Sequence, residues 1–275
     1  MAGQRTRGRW ASQRGARRGI AATLWPLRAR AVLQYDGTAY RGWQRQADAL
    51  TIQGTCETAL ARVLGPTDVV AAGRTDSGVH ARGQVVHFDT AAGLPPAALR
   101  RAWNAYLPSD IWVARLGRAA PDFHARYDAV ARTYRYRLAL GRMAPSPFVR
   151  RFAWPVGRPL DWSRMETATR AIVGAHDFRR FAKGAGDHPP RPGMEPGRCV
   201  IRQARWIRSR EGRVLEVTAD RFLRHMVRAL VGAIVAAGVG RIDVGEIRSA
   251  LAGDGPRPRA TYAPPQGLVL WAVEY

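Results

Sequence analysis

Apolar and polar residues divide the first half of the chain into six predicted elements. Two-residue alternation is typical of strands, and apolar residues spaced by three or four positions are typical of helices. The elements are a strand at 29–37, a helix at 51–65, strands at 68–75 and 83–90, a helix at 95–108 and a strand at 110–117. Thr51 is the expected N-cap of the first helix and Gly65 its stop. The order βαββαβ is that of a ferredoxin-like split unit.

The second half repeats this order more loosely. Its elements are a strand at 131–140, a helix at 162–178, a hairpin of strands at 199–209 and 213–219, helices at 222–238 and 244–253, and a strand at 267–275. The Gly- and Pro-rich segment 182–198 is predicted to be a long surface loop. We therefore expect an α+β protein of two ferredoxin-like (split βαββαβ) halves, each with an antiparallel sheet, and a basic cleft between them.

Charge adds a class of partner to this fold prediction. The 275 residues carry a formal net charge of +23, of which eight arginines lie in the acid-free first thirty residues. The rest of the chain is therefore also basic, which favours binding to a polyanion such as nucleic acid. We predict a disordered basic arm at 1–28, an N-terminal lobe at 29–124 and a C-terminal lobe at 125–275. An arm of this composition also resembles a mitochondrial transit peptide.

Other compositional features favour a soluble protein of a reducing compartment. The most apolar stretch, residues 226–240, is interrupted by Arg228 and is too short to span a bilayer. Cys56 and Cys199 are the only cysteines, which predicts neither a disulfide framework nor a thiolate zinc site. We expect a cytoplasmic location and no membrane association.

Asp76 is the main candidate for chemistry. It lies in the turn "GRTDSGVHAR" (73–82), between the two strands of a predicted pair. A lone aspartate in a turn often bonds only to its own backbone. Here Arg74, His80 and Arg82 favour the ionised form, which is a nucleophile or an anchor for a cation. The triplet Asp-Ser-Gly also occurs in aspartic proteases, in which two carboxylates share one proton. No second such triplet follows here, and the flanking arginines oppose the sharing of a proton.

Six separated blocks resemble, in order and spacing, the TruA family of tRNA pseudouridine synthases. They are "YDGTAYRGWQRQ" (35–46), "AGRTDSGVHARGQVVHF" (72–88), "NAYLPSDIWV" (104–113), "DFHARYDAVARTYRYRL" (122–138), "RFLRHMVRALVG" (221–232) and "APPQGLVLWAVEY" (263–275). The resemblance extends from residue 29 to the last residue. It implies isomerisation of uridine to pseudouridine at positions 38, 39 and 40 of the tRNA anticodon stem-loop, without a metal or organic cofactor, by a homodimer that grips one tRNA across both subunits.

The resemblance also implies roles for individual residues. Asp76 matches the family's nucleophile, and Tyr134 matches the tyrosine that stacks on the target base. Arg228 matches the ion partner of the aspartate, which would explain a charged residue within an apolar helix. Arg74 matches the arginine beside the nucleophile, a candidate for holding RNA or replacing a flipped nucleotide. Leu270, with Leu268, matches the pocket wall. Ser77 departs from the alanine that the family often has.

Without the resemblance, several of these residues have simpler interpretations. Tyr134 would be a core aromatic of its strand, and Leu270 part of an apolar strand. His80, His87 and His225 lack metal-ligand spacing, so we interpret them as polar packing residues or RNA contacts. A non-catalytic RNA-binding protein with the same fold, or an enzyme with another uridine target, are the competing functions.

Overall fold

The computed structural model describes residues 27–91, 93–184 and 195–275. In these ranges the chain forms ten strands and six α-helices. In chain order they are β1 Leu27–Tyr35, α1 Ile52–Leu64, β2 Val70–Ala71, β3 His80–Thr90, α2 Pro96–Tyr106, β4 Ile111–Arg118, β5 Ala131–Ala139, α3 Pro147–Arg150, β6 Trp154–Pro155, α4 Trp162–Ala171, β7 Gly174–Asp177, β8 Arg198–Ser209, β9 Gly212–Ala219, α5 Met226–Gly238, α6 Val244–Ala252 and β10 Leu268–Glu274.

All ten strands belong to one sheet. Its order is β4-β1-β3-β10-β5-β9-β8-β7, with β2 paired to β3 and β6 paired to β5. The strands of the first and second halves of the chain meet where β3 and β10 run parallel for two residue pairs, Val269 opposite His80 and Leu270 opposite Ala81. The α+β prediction is confirmed, since most strand pairs are antiparallel. The prediction of a separate sheet for each half is wrong, because β3 and β10 join the strands of both halves into one sheet. The division into two ferredoxin-like halves stays a prediction.

The termini of α1 follow the sequence pattern. The Thr51 side chain accepts a hydrogen bond from the Gly54 amide, and Gly65 ends the helix with a φ of 79°. A glycine tolerates this positive φ better than any residue with a β-carbon. Both predicted helix boundaries are confirmed. The buried side of α1, which includes Cys56 and Leu60, packs against the sheet and α2 as part of the main hydrophobic core.

Two predicted helices are too long. The helix predicted at 162–178 ends at Ala171, because Gly174 has a φ of 115° and starts β7, which pairs with β8. The helix predicted at 222–238 begins only at Met226, because the preceding residue, His225, has a φ of 63°. The predicted arm lies almost wholly outside the described residues, and so does most of the loop predicted at 182–198.

The side chains of β5 alternate between the helix-facing side of the sheet and the opposite side. Tyr134, Tyr136 and Leu138 are buried on the helix side, with the Tyr134 ring against Phe222 in an edge-on arrangement at 5.1 Å between centroids. Arg135, between them in sequence, ion-pairs across the sheet with Glu216 of β9 at 2.7 Å. This alternation follows from the period of two in a strand.

None of the described helices is both long enough and apolar enough to cross a bilayer.

Candidate active site

Asp76 lies in a tight turn between β2 and β3. The Val79 amide donates a hydrogen bond to the Asp76 carbonyl at 3.1 Å, and Gly78 takes a φ of 75°. Glycine suits this left-handed position because it has no β-carbon. The turn presents the Asp76 side chain at a partly buried position, 20% exposed.

A second loop, residues 40–43, packs directly on this turn. The Trp43 amide donates to the Thr75 carbonyl at 3.0 Å, and the Gly78 amide donates to the Tyr40 carbonyl at 3.3 Å. The Thr75 hydroxyl also lies 2.8 Å from the Tyr35 hydroxyl in the core. These bonds hold the backbone on both sides of Asp76. The backbone that carries the Asp76 side chain is therefore held in place by the fold.

The Asp76 carboxylate faces two basic side chains near the start of α5. Arg228 Nη1 lies 3.5 Å from Asp76 Oδ2, and His225 Nε2 lies 3.4 Å from Asp76 Oδ1. Arg228 is itself anchored, because its Nε donates to the Ala263 carbonyl at 2.8 Å. Both contacts with Asp76 are longer than the 2.7–2.9 Å of a tight charge-assisted hydrogen bond. The carboxylate is thus oriented by two partners on different oxygens without being capped by a short bond.

Tyr134 lies close enough to Asp76 to sense its charge, and Leu270 lies beside Tyr134 on the neighbouring strand. They are opposite each other in the antiparallel pairing of β5 and β10, and Leu270 has no exposed surface. Burial, and next the nearby negative charge of Asp76, raise the pKa of Tyr134 above its ordinary value. The phenol therefore stays protonated at neutral pH and can act as a hydrogen-bond donor or an aromatic surface.

Positive charge surrounds the site. Burial and the nearby charges of Arg126 and Arg224 lower the pKa of Arg74, whose side chain is exposed beside the turn. The His225 pKa is lowered chiefly by burial, while Asp76 raises it, and Arg228, Arg224 and Lys183 lower it further. Like charges this close repel one another, and a polyanion that binds among them removes that repulsion. The surface around Asp76 therefore favours a phosphate-bearing ligand.

The structure brings Asp76, Arg228 and Tyr134 together, with Leu270 behind Tyr134 and Arg74 exposed beside them. His80 and His87 are buried and accept hydrogen bonds from the amides of Gly37 and Ala125, so their interpretation as polar packing residues is confirmed.

Two aromatic residues near the site were not predicted from the sequence. The Tyr262 ring lies 5.3 Å from that of His225, and the Phe222 ring packs against Tyr134. Only the motif "RFLRHMVR" that contains Phe222 could have drawn attention to it.

Among the described residues, no three His, Cys, Asp or Glu side chains gather as a metal ion would require. The described groups offer instead a carboxylate, a protonated phenol and several cations. An oriented carboxylate in cationic surroundings, beside a buried aromatic, is the site of an enzyme that acts on a nucleic acid.

Comparison with known proteins identifies the family. A model described as tRNA pseudouridine synthase matches residues 31–128 and 168–275. The chain is 41% identical to tRNA pseudouridine synthase A of Syntrophotalea carbinolica, over 90% of this chain and 95% of that protein. It is 40% identical to the proteins of the same name from Pelodictyon phaeoclathratiforme, over 90% and 98%, and Pseudothermotoga lettingae, over 89% and 98%. The chain belongs to the tRNA pseudouridine synthase family, and the predicted family and the prediction of an enzyme, an isomerase, are confirmed.

Proposed function

We propose that this protein isomerises uridine to pseudouridine at positions 38, 39 and 40 of the tRNA anticodon stem-loop, with Asp76 as the nucleophile. The observation that carries the proposal is the placement of the Asp76 carboxylate, 3.5 Å from Arg228 and 3.4 Å from His225, in a fixed turn of a basic surface. The relatives' name supports tRNA as the substrate. The anticodon position rests on the resemblance of the six sequence blocks.

The reaction needs a group that helps to break the bond between the sugar and the base. An ionised carboxylate can do so by forming a transient covalent bond or by stabilising developing positive charge on the sugar. The freed uracil then turns and bonds to C1′ through C5, which releases Asp76 if a covalent bond had formed. C5 loses its proton to restore the aromatic ring, and N1 gains a proton, so the product is an isomer of the substrate. Arg228 orients the carboxylate through Nη1, which lies 3.5 Å from Asp76 Oδ2, and the carboxylate balances the charge of an arginine that is only 15% exposed.

The remaining site residues have roles in holding RNA. Tyr134 supplies an aromatic surface for the target base, and Leu270 supports Tyr134 from the neighbouring strand. Arg74, exposed at the edge of the site, contacts phosphate or takes the place of the nucleotide that leaves the stack. A base inside a helical stem is inaccessible to Asp76, so the target nucleotide must leave the stack before it reacts.

The assembly and location follow the family resemblance. The protein acts in the cytoplasm as a homodimer, with one tRNA in contact with both subunits. Within each subunit, Asp76 comes from the lobe at 29–124, and Tyr134 and Arg228 come from the lobe at 125–275, so the cleft between the lobes contains the site. Because lysine and arginine contacts to phosphate release counterions, the affinity for tRNA falls steeply as salt is added.

The test is to map pseudouridine by carbodiimide modification and primer extension on an unmodified tRNA with uridines 38–40. Wild type is compared with Asp76→Asn and with Asp68→Asn, whose side chain is 85% exposed. Product at positions 38–40 with wild type and Asp68→Asn, but not with Asp76→Asn, is the expected result.

Other outcomes separate the alternatives. Product at another uridine would retain the reaction and replace the target. Product formation by Asp76→Asn would show that Asp76 is not the nucleophile. Tight tRNA binding by all three proteins, with no product from any of them, would favour the RNA-binding function.

A further inference from the structure

His225 has a left-handed backbone conformation that is uncommon for any residue other than glycine. Its φ and ψ are 63° and 0°, and it is the one non-glycine residue with positive φ in the described ranges. The Met226 amide donates to the Leu223 carbonyl at 3.1 Å, so His225 occupies the third position of a four-residue turn. Turns with positive φ at this position strongly prefer glycine. A histidine here costs free energy, and such strain is often found where a side chain has a function.

The His225 side chain is aimed at Asp76. Its Nε2 lies 3.4 Å from Asp76 Oδ1, while Arg228 contacts the other oxygen of the same carboxylate. The imidazole packs edge-on against Tyr262, and the side chain is 17% exposed. The Lys183 amide donates to the Arg224 carbonyl at 3.1 Å, which ties down the turn from outside. The ring is therefore held in place from several directions.

The surroundings of the ring select one tautomer. His225 Nδ1 is buried and has no hydrogen-bond partner among the described residues. A proton on Nδ1 would leave a buried N–H without an acceptor and turn the Nε2 lone pair toward a carboxylate, and both are unfavourable. A proton on Nε2 instead places an N–H on the nitrogen that lies 3.4 Å from Asp76 Oδ1, within reach of a small rotation of the ring. The charged groups that face the ring are Asp76, Arg228, Arg224 and Lys183, and the cations among them oppose a second proton.

We infer that His225 is a positioning residue, a neutral imidazole whose Nε2–H holds Oδ1 of Asp76 and so fixes the plane of the nucleophilic carboxylate together with Arg228. This inference rests on the proposed role of Asp76. A neutral donor orients the carboxylate without adding a second full positive charge, which would make the carboxylate less nucleophilic. The side chain is retained in a strained turn because no glycine or asparagine there could supply a donor at the Nε2 position.

Two substitutions separate the side chain from the backbone. His225→Asn suits the left-handed conformation but is too short to place a donor where Nε2 lies. His225→Gln places an amide N–H close to the position of Nε2 but suits the backbone less well. The readouts are single-turnover pseudouridine formation on unmodified tRNA across a range of pH, and unfolding by denaturant. Wild type and Asp76→Asn are measured in parallel.

His225→Asn should unfold at the same or a higher denaturant concentration, yet react about tenfold to a hundredfold more slowly, as expected for loss of a hydrogen bond to a charged group. The pH profile of its rate should also differ from that of wild type, because the Asp76 carboxylate has lost a donor. His225→Gln should recover most of the rate and the wild-type profile, although it is less stable.

A His225→Asn variant with the wild-type rate and profile would overturn the inference. So would a slow His225→Gln whose profile matches that of His225→Asn. If Asp76→Asn itself keeps the wild-type rate, the proposed function fails first, and that result is distinguishable from failure of the His225 inference alone.

Discussion

Gly42 lies against the backbone of the Asp76 turn so closely that a β-carbon on it would be 2.8 Å from the Thr75 carbonyl oxygen and 3.1 Å from the Asp76 carbonyl carbon. Gly42 also has a φ of 91°, which residues with a β-carbon rarely adopt. The loop that carries it donates the Trp43 amide to Thr75. The position of the Asp76 turn therefore depends on the absence of a side chain at residue 42.

Gly42→Ala should displace the Asp76 turn and reduce activity by at least tenfold, since displacements of about 1 Å in a catalytic group can cost a hundredfold. The free energy of unfolding should fall by about 1–3 kcal/mol from backbone strain and the clash. Single-turnover rates and denaturant unfolding measure the two effects.

Gly65→Ala is the matched control. Gly65 also has a positive φ, 79°, but a β-carbon there meets nothing within 4 Å. It should lose stability and keep its rate on the folded fraction. Equal loss of rate in both variants would show that general strain, and not the turn, controls activity.

Arg228→Lys should keep a positive charge near Asp76 and still reduce turnover by about tenfold or more, because lysine is a point charge that cannot replace a planar fork. Arg228 bonds the Ala263 carbonyl through Nε and faces Asp76 through Nη1, and a single ammonium cannot hold this geometry. Single-turnover kinetics at saturating enzyme separate the loss of rate from any loss of tRNA affinity.

Arg248→Lys, at an exposed position of α6, controls for the general effect of the exchange and should behave as wild type. A wild-type rate in Arg228→Lys would mean that charge alone is required beside the nucleophile.

Alkaline pH should destabilise the protein. Burial raises the pKa of Tyr35, Tyr134 and Tyr136 above their ordinary value. In the unfolded chain these phenols lose their protons near pH 10, while in the folded protein they keep them, so the folded state then binds more protons. The stabilisation is complete below about pH 10 and is lost as pH rises toward the raised pKa values.

Absorbance of tyrosinate during a pH titration checks this prediction, together with denaturant unfolding at pH 8 and pH 10.5. Some of the eight tyrosines should lose their protons only when the protein unfolds. Ionisation of all eight near pH 10 in a protein that is still folded would contradict it.

Acid should destabilise the protein through His87. Burial, and next the nearby His124, lower the pKa of His87 to about 4. Its Nδ1 accepts a hydrogen bond from the Ala125 amide at 3.1 Å, which only the unprotonated nitrogen can do. Because the pKa is lower in the folded state, the stabilisation is present above pH 6.5 and is lost as pH falls toward 4, by up to about 3 kcal/mol.

His87→Asn can accept the same hydrogen bond through its amide oxygen and does not titrate. Its free energy of unfolding should change less between pH 7 and pH 4 than that of wild type, as measured by urea unfolding. Identical pH dependence in wild type and His87→Asn would refute the assignment.

The elements of this fold could be predicted where local chemistry determines them. Thr51 and Gly65 delimit α1 by capping and by a positive φ, and both effects are visible in sequence. The end of α4 was predicted too late because the apolar spacing continues past Ala171, while the strand pairing of Gly174 with Ile201 depends on a partner distant in sequence. The parallel pairing of β3 with β10 likewise joins residues distant in sequence, so local patterns could not predict it.

The site residues also divide into those that the sequence reveals and those that only the folded structure brings together. Asp76 could be selected from its turn and its flanking arginines, and Arg228 from the cost of a charge in an apolar helix. The role of His225 could not, since a backbone φ of 63° comes from the turn that Leu223 and Met226 close. The contact of Arg228 with Asp76 joins residues 152 positions apart, and only the assembled sheet and α5 bring them together.

The two-pair parallel contact between β3 and β10 also gives the site a mechanical property. Asp76 lies four residues before β3, and Leu270 of β10 pairs with Tyr134 of β5. A narrow parallel join is weaker than the long antiparallel ladders on either side of it. Asp76 and Tyr134 lie on opposite sides of this join, so a bend of the sheet there would change the separation between the Asp76 carboxylate and the Tyr134 ring.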